Sequence, residues 1–130
     1  MCLERQSRCH PGPIPVQWLK REPFHCRPDG DVVAPDLVDV ETVAVLRKRW
    51  LAGTVTDHRF AAEVDDLQSL PIDRYPTLSL MRRAYELRAN ITAYDAAYIA
   101  LAEALHGDLL TGDVQLSKAP GPRCTIRLIH

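Results

Sequence analysis

Apolar residues in this chain keep a helical beat over most of its length and a strand beat at its end. Over residues 36–51, Pro35 and Asp36 form a start signal, and Leu37, Val40, Val43, Ala44 and Leu51 can line a buried stripe. Gly53 closes that helix. Thr56 and Asp57 open a second helix running through Leu70, with Phe60, Ala61, Val64 and Leu67 at helical spacing. Pro71-Ile72 begins a short extended piece that Pro76 ends, and a third helix from about Leu78 to Arg88 is predicted to bury Leu80, Met81, Ala84 and Leu87. A fourth helix starts at Thr92, runs through an Ala- and Leu-rich stretch and stops at Gly107. Asp108 to Asp113 then reads as a short buried strand ending on a Gly-containing turn, and Ser117 to Pro122 is turn material. In the last residues Cys124, Ile126 and Leu128 alternate with Thr125, Arg127 and Ile129, which predicts a terminal strand. Short strands alternating with helices imply an α/β fold, with a parallel-rich sheet covered by helices on both faces.

The first quarter of the chain breaks this order. Residues 1–31 hold half of the prolines and three of the four cysteines, with no helical period longer than a turn, so they read as loop or weakly ordered chain. Only Ile14, Val16 and Trp18 alternate, and Pro13 and Pro15 would confine a strand there to an edge. Residues 32–130 therefore form the expected domain. Cys2, Cys9, Cys26 and Cys124 match no disulfide scaffold, and a zinc set with His10 and His25 lacks the C-x-x-C pair that orients two thiolates, which leaves free thiols in a reducing compartment as the expectation. A net charge of −1 argues against a generally basic nucleic-acid surface and leaves room only for a local one. The longest helical run, interrupted by Asp95 and Glu103, is too short to span a bilayer, and the opening has no apolar leader, so a cytoplasmic location is expected.

Three carboxylates interrupt apolar patterns. Glu41 falls among Val40, Val43 and Ala44, where a charge is costly to bury without a cation. Asp95 lies in the first turn of the fourth helix, which suits either a capping arrangement or a metal ligand. Asp113 ends a strand, and an open sheet gathers its ligands at such carboxyl ends. Together they suit Mg²⁺ or Mn²⁺, hard ions that prefer oxygen donors. Asp36 and Asp39 read instead as helix-start acids whose role is capping.

The runs Ala34-Pro-Asp-Leu-Val-Asp-Val-Glu41, Leu87-Arg-Ala-Asn-Ile-Thr-Ala-Tyr-Asp-Ala-Ala-Tyr98 and Leu109-Leu-Thr-Gly-Asp113 follow one another in the order and spacing of PIN domains. Over residues 32–130 the chain resembles, more closely, the VapC-type toxins of type II toxin-antitoxin systems. The resemblance implies a PIN-like three-layer α/β/α fold and a metal-dependent endoribonuclease that cuts structured RNA. It also implies a cognate VapB-like antitoxin and a homodimer. On it, Glu41, Asp95 and Asp113 are the acidic ligands of Mg²⁺ or Mn²⁺, and Thr111 is the hydroxyl accompanying the last of them.

The opening departs from that pattern. PIN domains begin with an apolar central strand that ends in an Asp followed by a small residue and Ser, whereas this chain begins Met1-Cys-Leu-Glu-Arg-Gln-Ser7. Asp29 and Asp31 come too late to serve. The first central strand and the first acidic ligand are thus both in doubt, through a displaced frame or start, degeneration, or a substitute such as Glu4. Two functions follow: a ribonuclease impaired by the loss of a ligand, or an inactive PIN-like module that binds an antitoxin or another protein partner.

Overall fold

A computed structural model of the chain describes residues 24–26 and 32–130. In chain order the elements are β1 (Phe24–Cys26), β2 (Val32–Pro35), α1 (Leu37–Leu51), α2 (Asp57–Ser69), β3 (Asp73–Tyr75), a 3₁₀ turn (Thr77–Leu80), α3 (Met81–Leu87), α4 (Ala93–Ala104), β4 (Asp108–Thr111), α5 (Val114–Ser117) and β5 (Ile126–Leu128). The strands form one sheet in the order β3-β2-β1-β4-β5. β2 pairs parallel with β3 and β4 with β5, while β1 runs antiparallel to both β2 and β4. Four strands therefore share one direction, and only the central one opposes them.

β1 corrects the expectation that residues 1–31 are all loop, because Phe24–Cys26 occupies the middle of the sheet. Three residues are too few to show any periodicity, which is why the sequence does not announce them. The ladder is set by His25 opposite both Val33 and Leu109. The expected edge strand over Ile14 to Trp18, and the zinc set drawn from Cys2, Cys9, His10, His25 and Cys26, lie outside the described residues or rest on side chains that are not described.

The four helices and the C-terminal strands fall close to their expected places, but α1 buries a different face. Val38, Thr42 and Leu46 point into the core, at i, i+4 and i+8, whereas Val40 is 73% exposed and Leu51 60%. Apolar residues surround this helix on every side, so its pattern does not choose a face; the sheet does. The predicted third helix divides into a 3₁₀ turn and α3, with Leu80, Ala84 and Leu87 buried as expected.

α4 is the inner helix. Seven consecutive residues, Ala96 to Ala102, are buried, so it is covered on all sides. Its C-terminal end closes as a Schellman turn, with Gly107 N–H donating to Ala102 O at 2.9 Å and His106 N–H to Glu103 O at 3.3 Å. The left-handed residue is His106, at φ +52°, and not the glycine after it. A Cβ there is strained.

Long-range ion pairs tie the layers together. Asp39 and Asp36 were expected to cap α1, yet neither caps it. Arg74 Nε donates to both Asp39 oxygens at 2.9 and 2.8 Å, and its other nitrogens reach Ile72 O and Leu67 O, joining α1, β3 and the end of α2. Asp36 accepts instead from the Thr77 N–H and hydroxyl. On the other side Arg83 reaches Glu103 at 2.7 and 3.1 Å, and Glu103 also accepts from the Arg123 N–H at 2.8 Å, which holds the loop before β5 onto α4. Burial alone would raise the Glu103 carboxyl, but the Arg83 and Arg123 donors prevail and hold it below the usual range.

Two predictions follow from these contacts. Because the folded carboxyl of Glu103 is depressed, its stabilisation is complete above the ordinary glutamate range and fades as pH falls through the lowered value. Glu103→Gln is therefore expected to cost about 2 kcal/mol at neutral pH and much less near about pH 3, read by urea denaturation at both. An equal loss at both pH values would contradict the ion pair. His106→Gly should relieve the left-handed strain and raise stability by about 1 kcal/mol in the same assay.

Candidate active site

The sheet reverses its winding about β1: β2 leads outward to β3, and β4 leads outward to β5. Open α/β sheets bind ligands at the carboxyl ends of strands at such a switch point. Here β2 and β4 end together at Pro35 and Thr111, and the three suspected carboxylates follow from elements near that edge.

Asp113 is fixed by its backbone surroundings. Thr111 is buried to 1% and its Oγ1 accepts the Asp113 N–H at 3.1 Å, tightening the turn at Gly112. Asp113 is in turn the N-cap of α5, its Oδ1 accepting from Gln115 N–H at 2.7 Å and Leu116 N–H at 3.3 Å. The four-residue α5 was not anticipated. Its signal is visible in hindsight as Asp followed by a short apolar turn.

Asp95 sits in the first turn of α4, where Thr92 is the cap. Thr92 Oγ1 accepts the Asp95 N–H at 3.2 Å, capping the helix, and its hydroxyl donates to Asp95 Oδ2 at 3.1 Å. Burial pushes the Asp95 carboxyl up, the Thr92 hydrogen bond pulls it down, and the negative charge of Asp113 pushes it up again. Of these three influences burial is the largest and the charge of Asp113 the smallest. Of the sequence alternatives of cap and ligand, the contacts made by Asp95 show the cap.

Glu41 reaches this region through a residue to which sequence reading gave no role. Tyr98 Oη donates to Glu41 Oε2 at 2.7 Å, and Tyr98, 1% exposed, lies three residues after Asp95 on the same face of α4. The signal was the i, i+3 spacing of Asp95 and Tyr98 within Tyr-Asp-Ala-Ala-Tyr. Among the described residues, no three His, Cys, Asp or Glu side chains stand close enough to hold one ion. The structure therefore ties Glu41 to the Asp95 helix through Tyr98, while Asp113 opens the short helix that follows β4.

Two cavities lie away from these carboxylates. One, of about 460 Å³, runs between α1 and α2 beside Trp50, Phe60 and Val64. The other, of about 410 Å³, lies at the far end of α4 beside Glu103, His106 and Cys124. Burial pushes the Cys124 thiol up to about 11, so it stays protonated at neutral pH. Among the described residues, no helix is long and apolar enough to cross a membrane.

Asp95 gives a direct test. A carboxyl raised in the folded state is ionised at a cost, so it detracts from stability above the ordinary aspartate range and ceases to do so as pH falls. Asp95→Asn keeps the Thr92 cap and removes the repulsion from Asp113, and is expected to raise Tm at neutral pH. A fall of several degrees would show that the pair is not repulsive.

The chain matches the model of the PIN domain over residues 12–122. It is 42% identical to Ribonuclease VapC1 of Mycobacterium tuberculosis (strain ATCC 25618 / H37Rv) over 98 residues, 75% of this chain and 74% of that protein. It is also 37% identical over 98 residues to Ribonuclease VapC12 of the same strain, covering 75% and 76%. With VapC ribonuclease Mb0985 of Mycobacterium bovis (strain ATCC BAA-935 / AF2122/97) the identity is 39% over 98 residues, covering 73% and 75%. The α/β fold and these similarities agree: the chain belongs to the PIN-domain family, among the VapC ribonucleases.

Proposed function

We propose that this chain is a metal-dependent endoribonuclease, the toxin of a type II toxin-antitoxin system, acting on structured RNA with reduced activity. What supports the reading is the match to the PIN domain and to the VapC ribonucleases, with Asp95 in the first turn of α4 and Asp113 at the start of α5. The donor set is all oxygen, which favours a hard divalent cation such as Mg²⁺ or Mn²⁺. Asp95 and Asp113 would hold it, with Glu41 kept beside the Asp95 helix by Tyr98 rather than on the ion. When bound, such a cation supplies charge stabilisation on a phosphoryl oxygen and a more acidic water.

The chain's own residues position these groups. Thr111 and the N–H groups of α5 fix Asp113 from one side, leaving its second oxygen for a ligand. Thr92 fixes Asp95, and Tyr98 fixes Glu41. The reduced activity follows from the reversed strand. A parallel central strand delivers an acid at its C-terminal end to this edge, whereas β1 ends at Cys26, paired with Asp108 at the start of β4, on the opposite edge. A VapB-like antitoxin and a homodimer complete the reading.

Cleavage of a structured RNA with Mg²⁺ or Mn²⁺, and with a chelator as control, tests it. Weak, chelator-sensitive cleavage is expected, abolished by Asp95→Asn and Asp113→Asn and lowered about tenfold to a hundredfold by Tyr98→Phe, which loses the group orienting Glu41. Chelator-resistant cleavage, or full cleavage by Asp95→Asn, overturns the reading. A chain that never cuts yet forms a stable complex with a VapB-like antitoxin is the binding module instead.

A further inference from the structure

α3 carries two guanidiniums and an aromatic ring on one exposed face. Arg82, Tyr85 and Arg88 follow at i, i+3 and i+6, and Tyr85 is 56% exposed. The Arg88 guanidinium lies 4.0 Å from the ring centroid and that of Arg82 5.8 Å. Arg88 also donates to Tyr85 O at 2.9 Å, so it is held at the end of the helix. Neighbouring Arg83 is spent on Glu103, Glu86 and Gly121 O. Arg82 and Arg88, by contrast, meet no carboxylate among the described residues.

Their place in the fold gives this charge a direction. Arg83, early in α3, pairs with Glu103 near the C-terminal end of α4, while Ile91 N–H reaches Leu87 O just before the Thr92 cap. α3 therefore runs antiparallel to α4 and ends beside the start of the Asp95 helix. Another basic cluster, Arg47 and Lys48, lies within the last five residues of α1, about 15 Å along that helix from its start.

We infer that Arg82, Tyr85 and Arg88 form an RNA contact that receives the phosphate backbone of a strand leaving the carboxylate edge. This rests on the nuclease reading and extends it to the path of the substrate. A guanidinium stacked on a ring is preorganised, and its N–H edge suits phosphate, while an exposed tyrosine beside it can stack an unpaired base. In a chain of net charge −1, unpaired arginines on one short face also account for a local rather than a general basic surface.

The test is binding of a fluorescent RNA hairpin with single-stranded flanks by the full chain, in chelator so that nothing is cut, between about 50 and 200 mM salt. Arg82→Gln with Arg88→Gln is expected to weaken binding about tenfold and to lower the salt slope by about two. Arg47→Gln with Lys48→Gln removes the same charge and should change little. Replacing both α3 arginines by lysine should keep the slope but lose part of the affinity, since the ring contact goes. Equal losses from the two glutamine pairs, or none from the α3 pair, overturn the inference. Unchanged RNA binding with altered sedimentation would assign this face to a second copy of the chain. The outcomes separate from those of the nuclease reading: an unmodified chain that cuts RNA while the α3 variant binds normally defeats only the contact, and one that neither binds nor cuts RNA defeats both.

Discussion

The close seating of α4 against the sheet is the constraint on which the other parts depend. A helix buried on every side must present small residues wherever backbones approach, and Ala96, Ala97, Ala100 and Ala102 do so, while Tyr98, Ile99 and Leu101 fill the remaining space. Val33 and Leu109, both fully buried, meet it from β2 and β4. Seating α4 there puts its first turn at the edge where those strands end. This packing places Asp95 in the turn that opens α4, while Asp113 follows the end of β4. The helix offers few polar groups, and Glu103 and Tyr98 are used as holds on it: Glu103 by Arg83 of α3 and the Arg123 N–H before β5, Tyr98 by Glu41 of α1.

Legibility in the sequence followed the range of the interactions. α2 and α4 were readable because Thr56 and Thr92 cap them locally, and both caps accept N–H groups three residues on. The strand Asp108–Thr111 was readable from a short apolar run and its glycine turn. The buried face of α1 was not, since Leu37, Val38, Val40, Val43, Val45 and Leu46 surround the helix and only contact with β2 and α2 selects among them. Asp36 and Asp39 failed for a similar reason: their partners, Thr77 and Arg74, lie 41 and 35 residues away, and a local rule about helix starts has no access to them.

The candidate site shows the same division. Glu41, Asp95 and Asp113 stood out as polar interruptions of apolar runs, but how they relate was hidden. Glu41 is joined to the Asp95 helix through the phenol of Tyr98, to which sequence reading gave no role. β1 was hidden most completely. Three residues between masses of proline carry no pattern, and antiparallel polarity depends on the partners at Val33 and Leu109 rather than on Phe24, His25 and Cys26 themselves.

Asp113 does two things at once, and this bears on how such a chain can change over generations. One of its oxygens closes a helix start, a task that asparagine performs as well as aspartate. Its negative charge serves the proposed chemistry, and nothing in the cap requires it. On that proposal a single Asp-to-Asn change at this position would silence the edge while the turn at Gly112 and the start of α5 stay as they are. Loss of chemistry and loss of fold are uncoupled there, so a silenced copy would still present the same outer surface to whatever partners recognise it.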